Sequence, residues 1–187
     1  VVYTITPKSF GCDGTPIDVS VAVNPNPTTV ITIASGGDTI CSGEMSNVHL
    51  TSPTPGTTFT WTVNQSGVNG AVNGSGTDVG AGVDIKQVLT SIGTTPGKVV
   101  YTITGAANAC SGSQTIDSVI VNPIPTLVVT PLNQEICSGS QTSIALVSNQ
   151  SPVTFSWKVI PGTILGAYND TANVIAQTLI NPGSMTD

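Results

Sequence analysis

The chain has 187 residues, of which 39% are hydrophobic and only 7% charged, and its formal net charge is −6 at pH 7. That length allows one or two domains, and the charged fraction is far below the roughly 25% of an ordinary soluble domain. A mean hydropathy of +0.26 excludes the hydrophilic, highly charged composition of disordered chains. An acidic surface with four Lys and Arg residues repels phosphate backbones and anionic membranes, which argues against nucleic acid and membrane partners. No apolar run approaches the ~18 residues of a membrane span.

The chain opens on Val1-Val2-Tyr3-Thr4-Ile5-Thr6, a strand pattern and not a signal peptide. It therefore reads as an internal piece of a longer protein. Residues 1–27 are VVYTITPKSFGCDGTPIDVSVAVNPNP, and residues 99–125, VVYTITGAANACSGSQTIDSVIVNPIP, align with them without a gap. Cys12 and Cys110 then stand 98 residues apart. Thr39-Ile40-Cys41-Ser42-Gly43 likewise matches Glu135-Ile136-Cys137-Ser138-Gly139, and Phe59-Thr60-Trp61 matches Phe155-Ser156-Trp157. The unit is just under ~100 residues, the size of one β-sandwich domain.

The register divides the chain. Residues 1–27 are the last two strands of one repeat, 28–123 a complete domain, and 124–187 the opening part of a third. Asn24–Pro27 and Asn122–Pro125 are short, stiff linkers, because proline favours extended backbone. In the middle unit, Thr29–Ala34 is a candidate first strand. Asn47–Thr51 puts Val48 and Leu50 on one face and His49 on the other, where His49 reads as an exposed polar residue. Thr58–Val63 turns Phe59, Trp61 and Val63 inward. Gly67–Gly82 reads as a flexible connection. Its glycines lack the strand–helix context and the lysine of a phosphate loop. Asp84–Thr90 is a further candidate strand. Val99–Thr104 aligns Val99, Tyr101 and Ile103, and Ser118–Asn122 closes the unit with Val119 and Val121 inward. No sustained helical period appears, so the expected fold is an all-β two-sheet sandwich. Phe59, Trp61, Tyr101, Phe155 and Trp157 are its expected core aromatics.

The run Ile-Cys-Ser-Gly (40–43), Thr-Phe-Thr-Trp-Thr-Val (58–63), Gln-x-Leu (87–89), Gly-x-Val-Val-Tyr-Thr-Ile-Thr (97–104), Ala-Cys-Ser-Gly (109–112) and Val-Asn-Pro-Ile-Pro (121–125) resembles PKD-like repeat domains. These occur in very long surface proteins of the Bacteroidota. The resemblance covers essentially the whole chain. It implies tandem immunoglobulin-like sandwiches, export through the type IX route, and a role in cell adhesion, gliding motility or surface filaments. It implies no catalytic residues and no cofactor. Trp61 resembles the third-strand core tryptophan of such sandwiches. The chain departs from ordinary PKD domains in lacking Trp-Asp-Phe-Gly-Asp-Gly; Trp61-Thr62-Val63-Asn64-Gln65 stands there instead.

Four cysteines, Cys12, Cys41, Cys110 and Cys137, show no C-x-x-C spacing, and with one histidine a zinc cage has little support. Cysteine in a chain of this composition fits an exported protein with disulfides. Two pairings stay open: a Cys41–Cys110 bridge within the complete domain, or staples between neighbouring domains. A free nucleophilic cysteine has no nearby His or basic group to lower its pKa. Asp38-Thr39-Ile40, Asp117-Ser118-Val119 and Asp170-Thr171-Ala172 share the pattern acid, hydroxyl, aliphatic. They resemble Bacteroidota O-glycosylation sites, which makes Thr39, Ser118 and Thr171 candidate acceptors of covalent glycans. The Asn-x-Ser/Thr triplets at Asn64, Asn73, Asn149 and Asn169 read as bare turn residues in a bacterium. Asp78 and Asp84 fall short of the six to eight oxygens that calcium takes. No G-x-S-x-G motif accompanies the Ser, His and Asp residues.

The expected function is a non-catalytic stalk or spacer on the bacterial cell surface, whose partners are neighbouring repeats of the same polypeptide or filament. The alternative is a glycan- or protein-binding accessory module of a secreted multidomain protein.

Overall fold

A computed structural model describes residues 1–33, 38–160 and 162–183 of the chain. All its regular elements are strands. The first four are β1 (Val2–Ile5), β2 (Lys8–Ser9), β3 (Cys12–Asp13) and β4 (Ile17–Ser20). β1 pairs antiparallel with β4, and β2 with β3, so residues 2–20 make one hairpin with an irregular middle. Its side chains are exposed throughout.

The next ten strands build a sandwich. They are β5 (Val30–Ile33), β6 (Thr39–Cys41), β7 (Val48–Thr51), β8 (Thr58–Ser66), β9 (Val68–Asn69), β10 (Gly74–Thr77), β11 (Val83–Ile85), β12 (Thr90–Ser91), β13 (Gly97–Ala107) and β14 (Cys110–Asn122). One sheet runs β10-β8-β13-β14-β6, the other runs β11-β7-β5, and β9 and β12 pair as a short two-stranded ribbon. The β6–β14 pair is parallel, and every other pair is antiparallel. The core lies between the sheets. Val48, Leu50 and Ile85 face Phe59, Val99, Tyr101, Ile103, Val119 and Val121, all buried. Each such side chain contributes about 1.5–3 kcal/mol by leaving water. The alternation of these residues along β7, β8 and β13 is the period-2 pattern of a half-buried strand.

Two expectations change. Gly67–Gly82 is not a loose connection, because β9 and β10 lie within it. Its glycines answer close packing: a Cβ on Gly74 would stand 2.4 Å from the Trp61 ring, and one on Gly70 2.1 Å from the Val88 carbonyl oxygen. Asp84–Thr90 is not one strand, because the chain leaves β7 after Ile85 and crosses to pair with β9 at Thr90. Ala34, the expected end of the first strand, lies outside the described residues. The last strands are β15 (Leu127–Thr130), β16 (Ile144–Ser148) and β17 (Val174–Ile175), in a sheet of order β15-β16-β17 that repeats the order β5-β7-β11.

The hairpins 98 residues apart share their register. Val2 faces Ser20 as Val100 faces Ser118, and Ser9 faces Cys12 as Ala107 faces Cys110. Both turn through two residues of positive φ, Phe10-Gly11 in one and Asn108-Ala109 in the other. Two such residues are the mark of the turn whose twist matches a hairpin.

Candidate functional site

Buried and half-buried polar groups are organised around three structural features and a joint between segments. The first feature is a ladder on the outer face of β7 and β11. His49 and Asp84 are register partners there, with Nδ1 and Oδ1 2.6 Å apart, and Lys86 Nζ lies 2.7 Å from the other Asp84 oxygen. The Lys86 ammonium first, then the His49 ring, hold the Asp84 carboxyl below its usual range. His49 is half-buried, not exposed as its strand phase alone suggests, because Gly82 lies against the Cε1 and Nε2 atoms of its imidazole. A His–Asp pair orients an imidazole for proton transfer, but that chemistry needs a reacting hydroxyl or thiol within reach. Among the described residues no Ser, Thr or Cys hydrogen-bonds the His49 ring, and no group of three His, Cys, Asp or Glu residues is placed to hold a metal.

Asp78 is the second feature. Its carboxylate accepts from the backbone N–H of Gly80 at 2.8 Å, of Gly82 at 2.9 Å and of Ser52 at 3.4 Å. The Gly80 and Gly82 donors, in that order, hold its carboxyl low. This is a turn built by an aspartate, and its oxygens are already occupied by protein donors.

Gln87 anchors the third. Its amide nitrogen donates to Val72 O at 2.7 Å, and its oxygen accepts from Val72 N at 3.3 Å and Tyr101 OH at 3.1 Å. Trp61 Nε1 donates to the same Val72 oxygen at 3.2 Å. Gln177, Tyr168 and Trp157 repeat the arrangement: Gln177 Nε2 and Trp157 Nε1 donate to Tyr168 O at 2.7 and 3.2 Å. The repeated Gln-x-Leu at 87–89 and 177–179 is the sequence signal for this hub, although no role for the glutamine follows from it. Phe59 and Tyr101 are wholly buried and Trp61 half-buried against the core. Trp157 is half-buried as Trp61 is, whereas Phe155 is only half-buried where Phe59 is wholly buried, since no described strand stands beside it as β13 stands beside Phe59.

The joint lies where residues 24–27 meet the β13–β14 turn. Asn24 Nδ2 donates to Asn108 O at 3.3 Å, and Cys110 Sγ lies 3.9 Å from Asn24 O. Pro27 is buried, and a Cβ on Gly112 would stand 2.0 Å from its carbonyl oxygen. At the far end of β14, Cys41 is the register partner of Asn122, and Ser42 N donates to Asn122 O at 2.7 Å.

No two of the four cysteines are bridged to each other; Cys12, Cys41 and Cys137 are exposed and Cys110 half-buried. Cys41 sits beside Asn122, at one end of β14, and Cys110 begins the same strand. Twelve rises of an extended chain put them roughly 40 Å apart. A bridge needs Cα atoms within about 7 Å, so the pairing of Cys41 with Cys110 inside one sandwich does not fit this fold. Of the three candidate glycan acceptors, Thr39 and Thr171 are exposed. Ser118 is half-buried on β14, opposite Val100. Burial pushes the neighbouring Asp117 carboxyl up; the Ser118 N–H opposes this and the Asp38 charge adds to it.

Two sheets in the order β10-β8-β13-β14-β6 and β11-β7-β5, with one parallel pair closing an edge, define an immunoglobulin-like β-sandwich. More narrowly, the chain belongs to the PKD-like domain family, whose sequence pattern matches residues 1–27 and 38–125. The two matched stretches fall on the β1–β4 hairpin and on most of the sandwich. Compared with curated proteins, the chain finds no match.

Proposed function

We propose that this chain is a non-catalytic stalk segment of a large bacterial surface adhesin or filament, built from tandem PKD-like repeats. The observation that carries the reading is the docking of Asn24 and Pro27 onto the β13–β14 turn of the sandwich that follows them. A spacer must hold successive units at a defined angle, and a buried proline between them limits bending. The repeat boundaries are residues 1–27, 28–123 and 124–187, and Asn24–Pro27 and Asn122–Pro125 are the linkers. The Thr-rich, weakly charged surface suits an extracellular location, with Thr39 and Thr171 open to glycans. Export by the type IX route of the Bacteroidota is the setting that this family reading favours. The neighbouring repeats are its partners.

The test is made on the parent protein in its own cells. Intact cells are shaved with protease, and an antibody to residues 28–123 reports the size and accessibility of the untreated protein. A very large, surface-exposed band is expected. A small protein released to the medium overturns the stalk reading.

A further inference from the structure

Cys41 and Cys110 stand at opposite ends of one sandwich, yet both stand at a junction between successive units. Asn24 and Asn122 occupy equivalent positions of the 98-residue repeat, each opening an Asn-Pro-x-Pro segment. In the complete sandwich the carbonyl oxygen of Asn122 accepts the Ser42 N–H at 2.7 Å, with Cys41 directly alongside. The equivalent oxygen, that of Asn24, lies 3.9 Å from Cys110 Sγ. One carbonyl oxygen position therefore accepts the Ser42-type N–H, next to its Cys41-type residue, and is also approached by the next unit's Cys110 Sγ. Both groups gather at the same oxygen, which brings the two cysteines together at the junction, as a bridge with Cα atoms within about 7 Å requires.

We infer that each Cys110-type residue forms a disulfide with the Cys41-type residue of the preceding repeat, so that the bridges run between domains and never within one. This rests on the tandem-repeat reading above. Cys110 pairs with the Ile-Cys-Ser-Gly cysteine of the repeat before it, and Cys41 with the hairpin cysteine of the repeat after it. Cys12 is the hairpin cysteine of its own repeat and Cys137 the Ile-Cys-Ser-Gly cysteine of its own, so neither finds its partner in this chain. Each bridge forms when two thiols lose two protons and two electrons to the disulfide of a protein thiol oxidant. The step passes through a mixed disulfide and leaves that oxidant as its dithiol.

The experiment is a disulfide map of the parent protein taken from its own cell surface. Free thiols are alkylated without reduction, and the peptides are separated and sequenced by mass spectrometry. The expected product joins the Cys110 peptide to an Ile-Cys-Ser-Gly-type peptide of the preceding repeat. A Cys41–Cys110 peptide, or alkylated Cys41 and Cys110, overturns the inference. In the parent carrying Cys110→Ser, one new alkylatable thiol is expected, in the preceding repeat; its appearance at Cys41 overturns the inference equally. Free thiols in a protein of many consecutive repeats would sink the bridges alone. A parent in which residues 28–123 have no neighbouring copies would sink the repeat reading itself.

Discussion

Tyr3 and Tyr101 occupy the same rung of two hairpins, facing Val19 and Asp117, yet Tyr3 is 56% exposed and Tyr101 is wholly buried. The difference lies in what covers them. Tyr101 has β8 beside it and the β7–β11 sheet across the core, whereas no described strand covers Tyr3. Replacing Tyr101 with Ala should therefore cost about 3–5 kcal/mol, the range for large aromatic truncation in a core. Tyr3→Ala in the same 187-residue chain should change stability by no more than about 0.5 kcal/mol. Urea unfolding followed by amide exchange in β13 separates the two. Equal losses would mean that Tyr3 is packed in solution.

Ala109 has φ +63°, a conformation that costs an L-residue with a Cβ about 1–2 kcal/mol. The equivalent position in the first hairpin is Gly11. Ala109→Gly creates Asn-Gly at the two central positions, the favoured pair for this turn. We expect a gain of about 1 kcal/mol, read as a raised midpoint in thermal unfolding. A loss would show that the Ala109 methyl makes a contact worth more than the strain.

Gly112 allows the backbone of Pro27 to lie directly against β14. Gly112→Ala should push Pro27 off, break the Asn24–Asn108 hydrogen bond, and leave the β13–β14 ladder paired. A changed chemical shift of the Asn24 side-chain amide, as it loses Asn108 O, with unchanged exchange protection at Val99 and Tyr101, is the expected pattern. An unchanged Asn24 amide would mean that the segment is held by contacts elsewhere.

Three aspartates should give the fold opposing pH dependences. Asp78 and Asp84 have depressed pKa values, so the stability they contribute is complete above the ordinary carboxyl range and is lost as pH falls through their folded values. Asp117 is raised by burial, so the folded form holds its proton more tightly than the unfolded form. Its charge then costs stability progressively as pH rises through the ordinary range to the folded value, and fully above it. Asp117→Asn should raise the melting temperature at pH 7 and leave it unchanged at pH 2. Asp78→Asn should lower it at pH 7 and approach the wild type as pH falls through the folded value of Asp78. Shifts that ignore pH would rule out a charge-based origin.

The strands that alternate were legible in the sequence. Val48-His49-Leu50, Phe59-Thr60-Trp61 and Val99-Val100-Tyr101 carry a period of two because one side of each faces the core. The short strands were not. β6, β9, β10 and β12 have between two and four residues, and Gly74 and Gly76 of β10 carry no side chain to show a face. Their place is set by what stands beside them, such as the Trp61 ring over Gly74, and that is a non-local fact. The half-burial of His49 depends on Gly82, 33 positions away in the chain, for the same reason. The cysteines illustrate the limit best. Their spacing allowed a bridge inside the domain or between domains, and only the pairing of Cys41 with Asn122 and the length of β14 separate the two.

The parallel pairing of β6 with β14 has a mechanical consequence. Pulling the sandwich from its two chain ends loads β5 against β7 first and, once β5 has parted, draws β6 back toward its first residue, Thr39, and β14 forward past its last, Asn122. Because the strands run the same way, these opposed forces slide them past each other along their length. The rungs Ile120–Thr39, Val121–Ile40 and Asn122–Cys41 are then strained together, in shear, and must yield at once. An antiparallel clasp at the same edge would open one rung at a time, like a zip, and at a lower force.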